Sequence, residues 1–243
     1  MRVRMSSLAL GAAAGAAIVT GCSTSHSGSA SNPITTPPAN QALLRFIHGV
    51  ADSRALDVYV NGSKVIGGLV YLKGTAYEVV DSGSAKIQWL PLGDTAYADI
   101  VLDTTVEISP NHTFSFYAVG PKATISPLFT PDSNTAPKNG DIKLRVVNVA
   151  PGAAGAVDVY ITPLGDSLPA TPTIAALPFK TASLYQLETP GDWEIRITAP
   201  DSTTVMVDDT LSGLAGGAVR TAVVMDNLGG GLPLHAINLP DSH

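Results

Sequence analysis

Few side chains in this 243-residue sequence have the types and spacing that metal binding or nucleophilic catalysis requires. No two histidines have metal-ligand spacing, and neither His-Glu-x-x-His nor Gly-x-Ser-x-Gly occurs. We therefore predict no metal and no cofactor, and an active site would need a Ser–His–Asp set assembled from distant positions. The histidines are His26, His48, His112, His235 and His243.

An arginine and an aspartate recur at matched positions in two parts of the sequence. Arg45 and Arg145 each lie one residue into a predicted strand, and Asp57 and Asp158 each begin the next one. If these strands are neighbours in a sheet, the pairs Arg45–Asp57 and Arg145–Asp158 form cross-strand ion pairs. We predict a structural role, because the feature is the same in both copies. The functional alternative is a ligand-binding carboxylate.

The N-terminal residues predict a signal peptide. Arg2 and Arg4 carry positive charge, and an apolar run over residues 8–19 follows them. This run has the length of a signal-peptide core and is shorter than the roughly 20 apolar residues of a spanning helix.

The only cysteine, Cys22, completes the sequence Val-Thr-Gly-Cys, which resembles the lipobox of bacterial lipoproteins. The resemblance implies cleavage between Gly21 and Cys22 and acylation of the Cys22 sulfur, so that the chain is anchored to a membrane of the bacterial cell envelope. Two or more acyl chains make such an anchor durable. Ser23, in place of an aspartate, indicates the outer membrane or the cell surface rather than the inner membrane. The alternative is a free or buried cysteine in an ordinary signal peptide.

The residues after Cys22 predict a flexible tether. Residues 23–40 contain no charged side chain and almost nothing to bury, so ordering them would cost more free energy than burial returns. As random coil they would span roughly 20–25 Å, which holds a folded part clear of the lipid.

The charge of the mature chain excludes nucleic acid as a partner. Removing residues 1–21 leaves 12 of the 14 basic groups against 20 acidic ones, a net charge of 12 − 20 = −8. An acidic chain of this kind has no electrostatic footprint for phosphate backbones or anionic lipid surfaces. With no second cysteine, its stability must come from core burial.

The remaining sequence contains an internal repeat. The segment "LRFIHGVADSRALDVYVNG" from Leu44 is similar to "LRVVNVAPGAAGAVDVYITP" from Leu144. Tyr77 and Pro131-Asp132-Ser133 match Tyr185 and Pro240-Asp241-Ser242. This indicates duplication of one unit. We predict a signal peptide (1–21), a lipidated cysteine and tether (22–41), a first domain (42–131), a linker (132–140) and a second domain (141–240).

Each copy has the pattern of an all-β domain. Short runs rich in Val, Ile, Thr and Tyr are broken by Gly, Pro, Asn or Asp every 8–12 residues, with no sustained helical period. About seven strands in 90–100 residues predict two tandem immunoglobulin-like antiparallel β-sandwich domains, with a barrel as the alternative. Trp89 and Trp193 alternate with isoleucines, which predicts core positions rather than exposed binding surfaces.

The repeated Leu-Arg strand and the following Asp-Val-Tyr strand resemble the family called domain of unknown function 4397, in which tandem copies and export are common. His48 keeps the histidine usual in the opening motif, whereas the second copy has Asn148 at that position. The resemblance implies the architecture of the domains, but the family has no accepted set of catalytic residues that could be carried over.

These features predict a non-enzymatic, lipid-anchored envelope protein that binds or presents an unknown protein or glycan partner. The alternatives are an envelope hydrolase whose site is built from loops, and a structural spacer.

We predict that Cys22→Ala releases the protein from the membrane, because the acyl chains would have no attachment sulfur. Membrane fractionation, with mass spectrometry of the mature N-terminus, checks this. Unchanged membrane association of the variant would refute lipidation.

Overall fold

A computed structural model describes residues 39–94, 99–153 and 155–241. In these residues the only helical elements are two short 3₁₀ turns, Lys122–Thr124 and Lys138–Gly140, and the rest are strands and their connections. The predicted all-β sandwich class is confirmed. Gly21, Cys22 and the tether up to residue 38 lie outside the described residues.

The described residues form eighteen strands, nine in each of two halves of the chain. The strands of the first half are β1 (Gln41–Gly49), β2 (Leu56–Val60), β3 (Ser63–Leu69), β4 (Lys73–Gly74), β5 (Glu78–Asp81), β6 (Gly83–Pro91), β7 (Leu102–Ile108), β8 (Thr113–Val119) and β9 (Ser126–Asp132). The strands of the second half are β10 (Ile142–Asn148), β11 (Ala156–Pro163), β12 (Ile174–Pro178), β13 (Thr181–Ala182), β14 (Gln186–Glu188), β15 (Gly191–Thr198), β16 (Val205–Leu214), β17 (Val219–Met225) and β18 (His235–Pro240).

Each half contains two sheets with the same strand order. In the first half the orders are β4-β1-β8-β9, with β5 also on β1, and β3-β2-β6-β7. In the second half they are β13-β10-β17-β18, with β14 on β10, and β12-β11-β15-β16. The sheets that contain β1 and β10 are called the inner sheets, and the other two the outer sheets.

One strand pair in each inner sheet is parallel, which departs from the purely antiparallel prediction. β1 runs parallel to β8, and β10 runs parallel to β17. The chain passes through the outer sheet between these strands, and this long crossover is what parallel pairing requires.

The inner and outer sheets of each half enclose a separate core, as the tryptophans show. Trp89 is fully buried in the first core, where it stacks on Phe116 and meets the edge of Phe46. Trp193 is buried in the second core and donates its Nε1–H to the Thr189 carbonyl. The predicted core positions of both tryptophans are confirmed.

A third apolar cluster joins the two halves, because the inner sheets pack face to face. Strand β1 is therefore buried on both faces: Leu44 and Phe46 point into the first core, whereas Ile47 points toward the second half. The cluster contains Ile47, Tyr117, Val119, Val147, Val149, Val223, Met225 and Leu239. The layers thus stack in the order outer, inner, inner, outer.

His48 and Asn148 hold the same turn in the two halves. The His48 Nδ1 accepts the Val50 N–H at 3.2 Å, and its Nε2 lies 3.2 Å from the Arg54 carbonyl. The Asn148 side chain accepts the Ala150 N–H and donates to the Leu177 carbonyl, both at 3.1 Å. Both side chains therefore accept the N–H of the residue two positions on, but His48 faces a carbonyl of the β1–β2 connection, whereas Asn148 donates to a carbonyl of β12. Burial lowers the pKa of His48.

The pKa of His48 predicts a loss of stability in mild acid. Because the unfolded chain takes up this proton at a higher pH than the folded chain, the free energy of unfolding falls as the pH drops below about 6.5. In His48→Asn, which copies the residue of the other half, this part of the decline should disappear. Urea unfolding from pH 7 to pH 5 measures it, and parallel profiles of the two proteins would contradict the assignment.

Candidate functional site

The Arg45 guanidinium is buried between the halves and binds the end of the opposite half. Its Nε donates to Ser115 Oγ at 2.6 Å within the first half. Its Nη2 donates to Asp241 Oδ1 at 2.6 Å and its Nη1 to the Pro240 carbonyl at 3.0 Å, both in the second half. The side chains of Arg45 and Asp241 are 1% and 0% exposed, so water screens this ion pair little.

Arg145 repeats the arrangement in the reverse direction. Its Nε donates to Thr221 Oγ1 at 2.8 Å within the second half. Its Nη2 donates to Asp132 Oδ1 and its Nη1 to the Pro131 carbonyl, both in the first half. The two arginines and the two aspartates thus exchange partners across a pseudo-twofold axis. The set Arg45, Tyr77, Asp132, Arg145, Tyr185 and Asp241 is called the reciprocal network.

Two tyrosines complete the reciprocal network. The guanidinium carbon of Arg45 lies 4.8 Å from the ring centroid of Tyr77, and that of Arg145 lies 4.7 Å from the ring centroid of Tyr185. The Tyr77 hydroxyl donates to Asp132 Oδ2 at 2.6 Å, and the Tyr185 hydroxyl donates to Asp241 Oδ2 at 2.7 Å. Each carboxylate therefore receives hydrogen bonds from both halves.

Burial and the carboxylates fix the charge states of the network. Burial by itself lowers the pKa of Arg45 and of Arg145, but the adjacent carboxylates outweigh it and raise both above the ordinary arginine value. Burial, and then the same carboxylates, raise the pKa of Tyr77 and of Tyr185. The arginines stay cationic and the tyrosines stay neutral hydrogen-bond donors.

The structure does not bring together the arginines and aspartates predicted to pair. Arg45 lies on an inner sheet and Asp57 on an outer sheet, so their strands are not neighbours; the same holds for Arg145 and Asp158. The predicted pairs Arg45–Asp57 and Arg145–Asp158 are therefore wrong, and each arginine is paired with an aspartate of the opposite half instead.

Asp57 and Asp158 bind the edge strands β3 and β12 of the outer sheets. Asp57 accepts hydrogen bonds from Lys64 Nζ and the Gly68 N–H, each at 2.8 Å. Burial raises the pKa of Asp57, but these bonds outweigh it and hold the pKa below the usual value. Asp158 accepts the N–H groups of Ala176 at 2.7 Å and Asp201 at 3.3 Å.

A cleft of about 850 Å³ opens beside the reciprocal network, between the end of β8 and β9 in the first half and the β13 segment in the second. This inter-half cleft has the volume of a small-molecule site. Its lining includes Thr113, Leu128, Thr130, Lys180, Leu184 and Tyr185.

The cleft lining leaves polar groups without the partners that buried groups normally have. Among the described residues, the hydroxyls of Thr113 and Thr130 are buried and have no hydrogen-bond partner, an arrangement that costs roughly 1–3 kcal/mol per group. Lys180 Nζ donates to Ser126 Oγ at 2.9 Å, and none of the ion pairs of the described residues includes Lys180. By contrast, Asp132 in the cleft wall is fully engaged by the network.

Neither a metal-binding cluster nor a membrane-spanning helix is found in the part of the chain that the structure describes. No group of three or more His, Cys, Asp or Glu side chains there is placed to hold a metal ion. Nor does this part contain a helix of the length and apolarity needed to cross a membrane.

Comparison with known proteins gives a family match over the first half. The model of the family described as "Domain of unknown function (DUF4397)" matches residues 42–160, from β1 into β11. This match supports the resemblance seen in the sequence. No curated protein matches the chain.

Among solved structures, the chain is similar to a carbohydrate-binding module of family CBM26 from Eubacterium rectale Amy13K, determined in complex with maltoheptaose. The identity is 10%, the alignment covers 81% of this chain and 96% of the module, and the TM-score is 0.28. A superposition this loose assigns no ligand to this chain.

We predict that Asp132→Asn destabilises the protein by about 3–5 kcal/mol, because it leaves the Arg145 charge buried without a carboxylate. Lys86→Gln is the matched control: the Lys86–Asp103 pair is 51% and 42% exposed, and removing it should cost less than about 1 kcal/mol. Urea unfolding measures both values. Equal losses would show that the buried network contributes no more than a surface pair.

Proposed function

We propose that this chain is a lipid-anchored protein of the bacterial cell envelope in which two DUF4397 domains act together as one non-enzymatic binding module. The family match over residues 42–160 covers the first domain and the first strands of the second. In support of a second domain, strands β10–β18 repeat the order and pairing of β1–β9. Acylated Cys22 and the tether would hold the module outside the membrane.

The inter-half cleft carries the proposed binding role. It lies beside the reciprocal network, and its walls come from both halves. The buried ion pairs hold those walls in a fixed relation, and a preformed cleft binds a ligand without ordering cost. Binding rather than catalysis is favoured because the carboxylate in the wall, Asp132, already accepts hydrogen bonds from Arg145, Ser115 and Tyr77.

Site-specific photo-cross-linking in intact cells tests this role. Leu184 lines the cleft and is 84% exposed, whereas Leu187 is 61% exposed and is not part of the cleft lining. A photoreactive amino acid at position 184 should give a mass-shifted adduct with envelope material, and the same amino acid at position 187 should not. The proposal fails if position 184 gives no adduct, or if both positions give the same adducts.

A further inference from the structure

The duplication supplies an internal comparison for three residues of the inter-half cleft, Thr113, Thr130 and Lys180. Because β1 and β10 have matching registers, Thr113 of β8 corresponds to Val219 of β17. Thr130 of β9 pairs with Ser115 of β8, and Leu239 of β18 pairs in the same way with Thr221 of β17. Thr130 and Leu239 therefore occupy corresponding positions.

The third pair of corresponding residues is Lys180, which precedes β13, and Leu72, which precedes β4. Thr181 pairs with Asn148 as Lys73 pairs with His48. Both Lys180 and Leu72 have positive φ, 59° and 61°. The backbone is therefore the same in the two halves, and only the side chain differs.

The counterparts of the three cleft residues are apolar and packed, and the place that they occupy is called the packed location. Val219 is fully buried, and Leu239 and Leu72 join the apolar cluster between the halves. Leu239 lies directly on Gly74, where an added Cβ would come within 2.9 Å of its Cδ2. At the cleft, two threonines and a lysine replace these three apolar side chains, and the space stays open.

All three differences point to a polar ligand. The unpartnered hydroxyls of Thr113 and Thr130 can donate and accept, as sugar hydroxyls do. Lys180 supplies a positive charge that no carboxylate neutralises among the described residues. The side chains of Leu128 and Leu184 add aliphatic surface to the same walls.

An extended peptide fits the edge of the cleft less well than a sugar. Edge strand β9 would have to pair with such a peptide, but Pro127 and Pro131 leave two of its seven residues without an N–H group. The walls around β9 are rich in hydroxyl and amide side chains instead, including Asn111, Ser133 and Asn134.

We propose that the inter-half cleft binds a short acidic oligosaccharide, with a sugar carboxylate at Lys180 and sugar hydroxyls at Thr113 and Thr130. This assignment rests on the proposed binding function and names its ligand class. The three side chains assigned to the ligand are those that differ from their counterparts in the packed location.

Calorimetric titration of the full-length chain tests the assignment, with trigalacturonate and its methyl ester as probes. Trigalacturonate should bind, and the uncharged ester should bind about tenfold more weakly or worse. Lys180→Leu, which copies Leu72, should remove the difference between the two probes. The matched control is Lys73→Leu, which removes a lysine beside the packed location and should bind both probes as the wild type does.

A second variant tests the hydroxyls. T113V/T130L copies Val219 and Leu239 and should weaken binding of both probes by about tenfold or more, without lowering the urea midpoint. The ligand class is wrong if the wild type binds neither probe, or if Lys180→Leu still prefers the acid. In either case, an adduct specific to position 184 would still support the proposed binding function. Absence of that adduct would contradict both the binding function and the ligand class.

Discussion

Each half of this protein completes the buried ion pair of the other. Arg45 and Arg145 are buried where the inner sheets meet, and an unpaired guanidinium there would be very costly. The carboxylates that accept their Nη2 hydrogen bonds stand at the ends of the last strands of the opposite halves, while Asp132 of its own half also lies 3.5 Å from Arg45 Nη2. The hydrogen-bonded carboxylate of each arginine therefore comes from the other half, and this exchange supports the four-layer arrangement together with the apolar cluster around it.

The exchange also explains why β1 and β10 are buried on both faces. One face of each strand fills its own sandwich core and the other meets the opposite half, so both strands are mostly apolar, with a buried arginine near the middle of each. Glycine is needed at one of these contacts: a Cβ at Gly49 would come within 3.0 Å of the Ala118 carbonyl and 3.3 Å of Val149 Cγ2. Three departures from the pseudo-symmetry, Thr113, Thr130 and Lys180, line the inter-half cleft, which is where we place binding.

The sequence predicted the fold class and several strands, because period and composition are local signals. The predicted Leu-Arg and Asp-Val-Tyr strands of the first copy are β1 and β2. It did not reveal β9, since Pro127 and Pro131 are typical of loops and are tolerated there only because β9 is an edge strand.

The site was only partly predictable from the sequence. Arg45, Tyr77 and Asp132 recur as Arg145, Tyr185 and Asp241, and this recurrence was the available signal for the network. Which aspartate pairs with which arginine depends on sheet assignment and on the packing of the halves, which no local pattern encodes. The cleft was not predictable from the repeat at all, because it depends on residues that differ between the copies.

Differential scanning calorimetry of the full-length chain and of an Arg45→Met/Arg145→Met variant tests the central claim most directly. If the reciprocal network makes the halves one cooperative body, the wild type unfolds in a single transition, and the variant separates into two. Two transitions in the wild type would contradict the account.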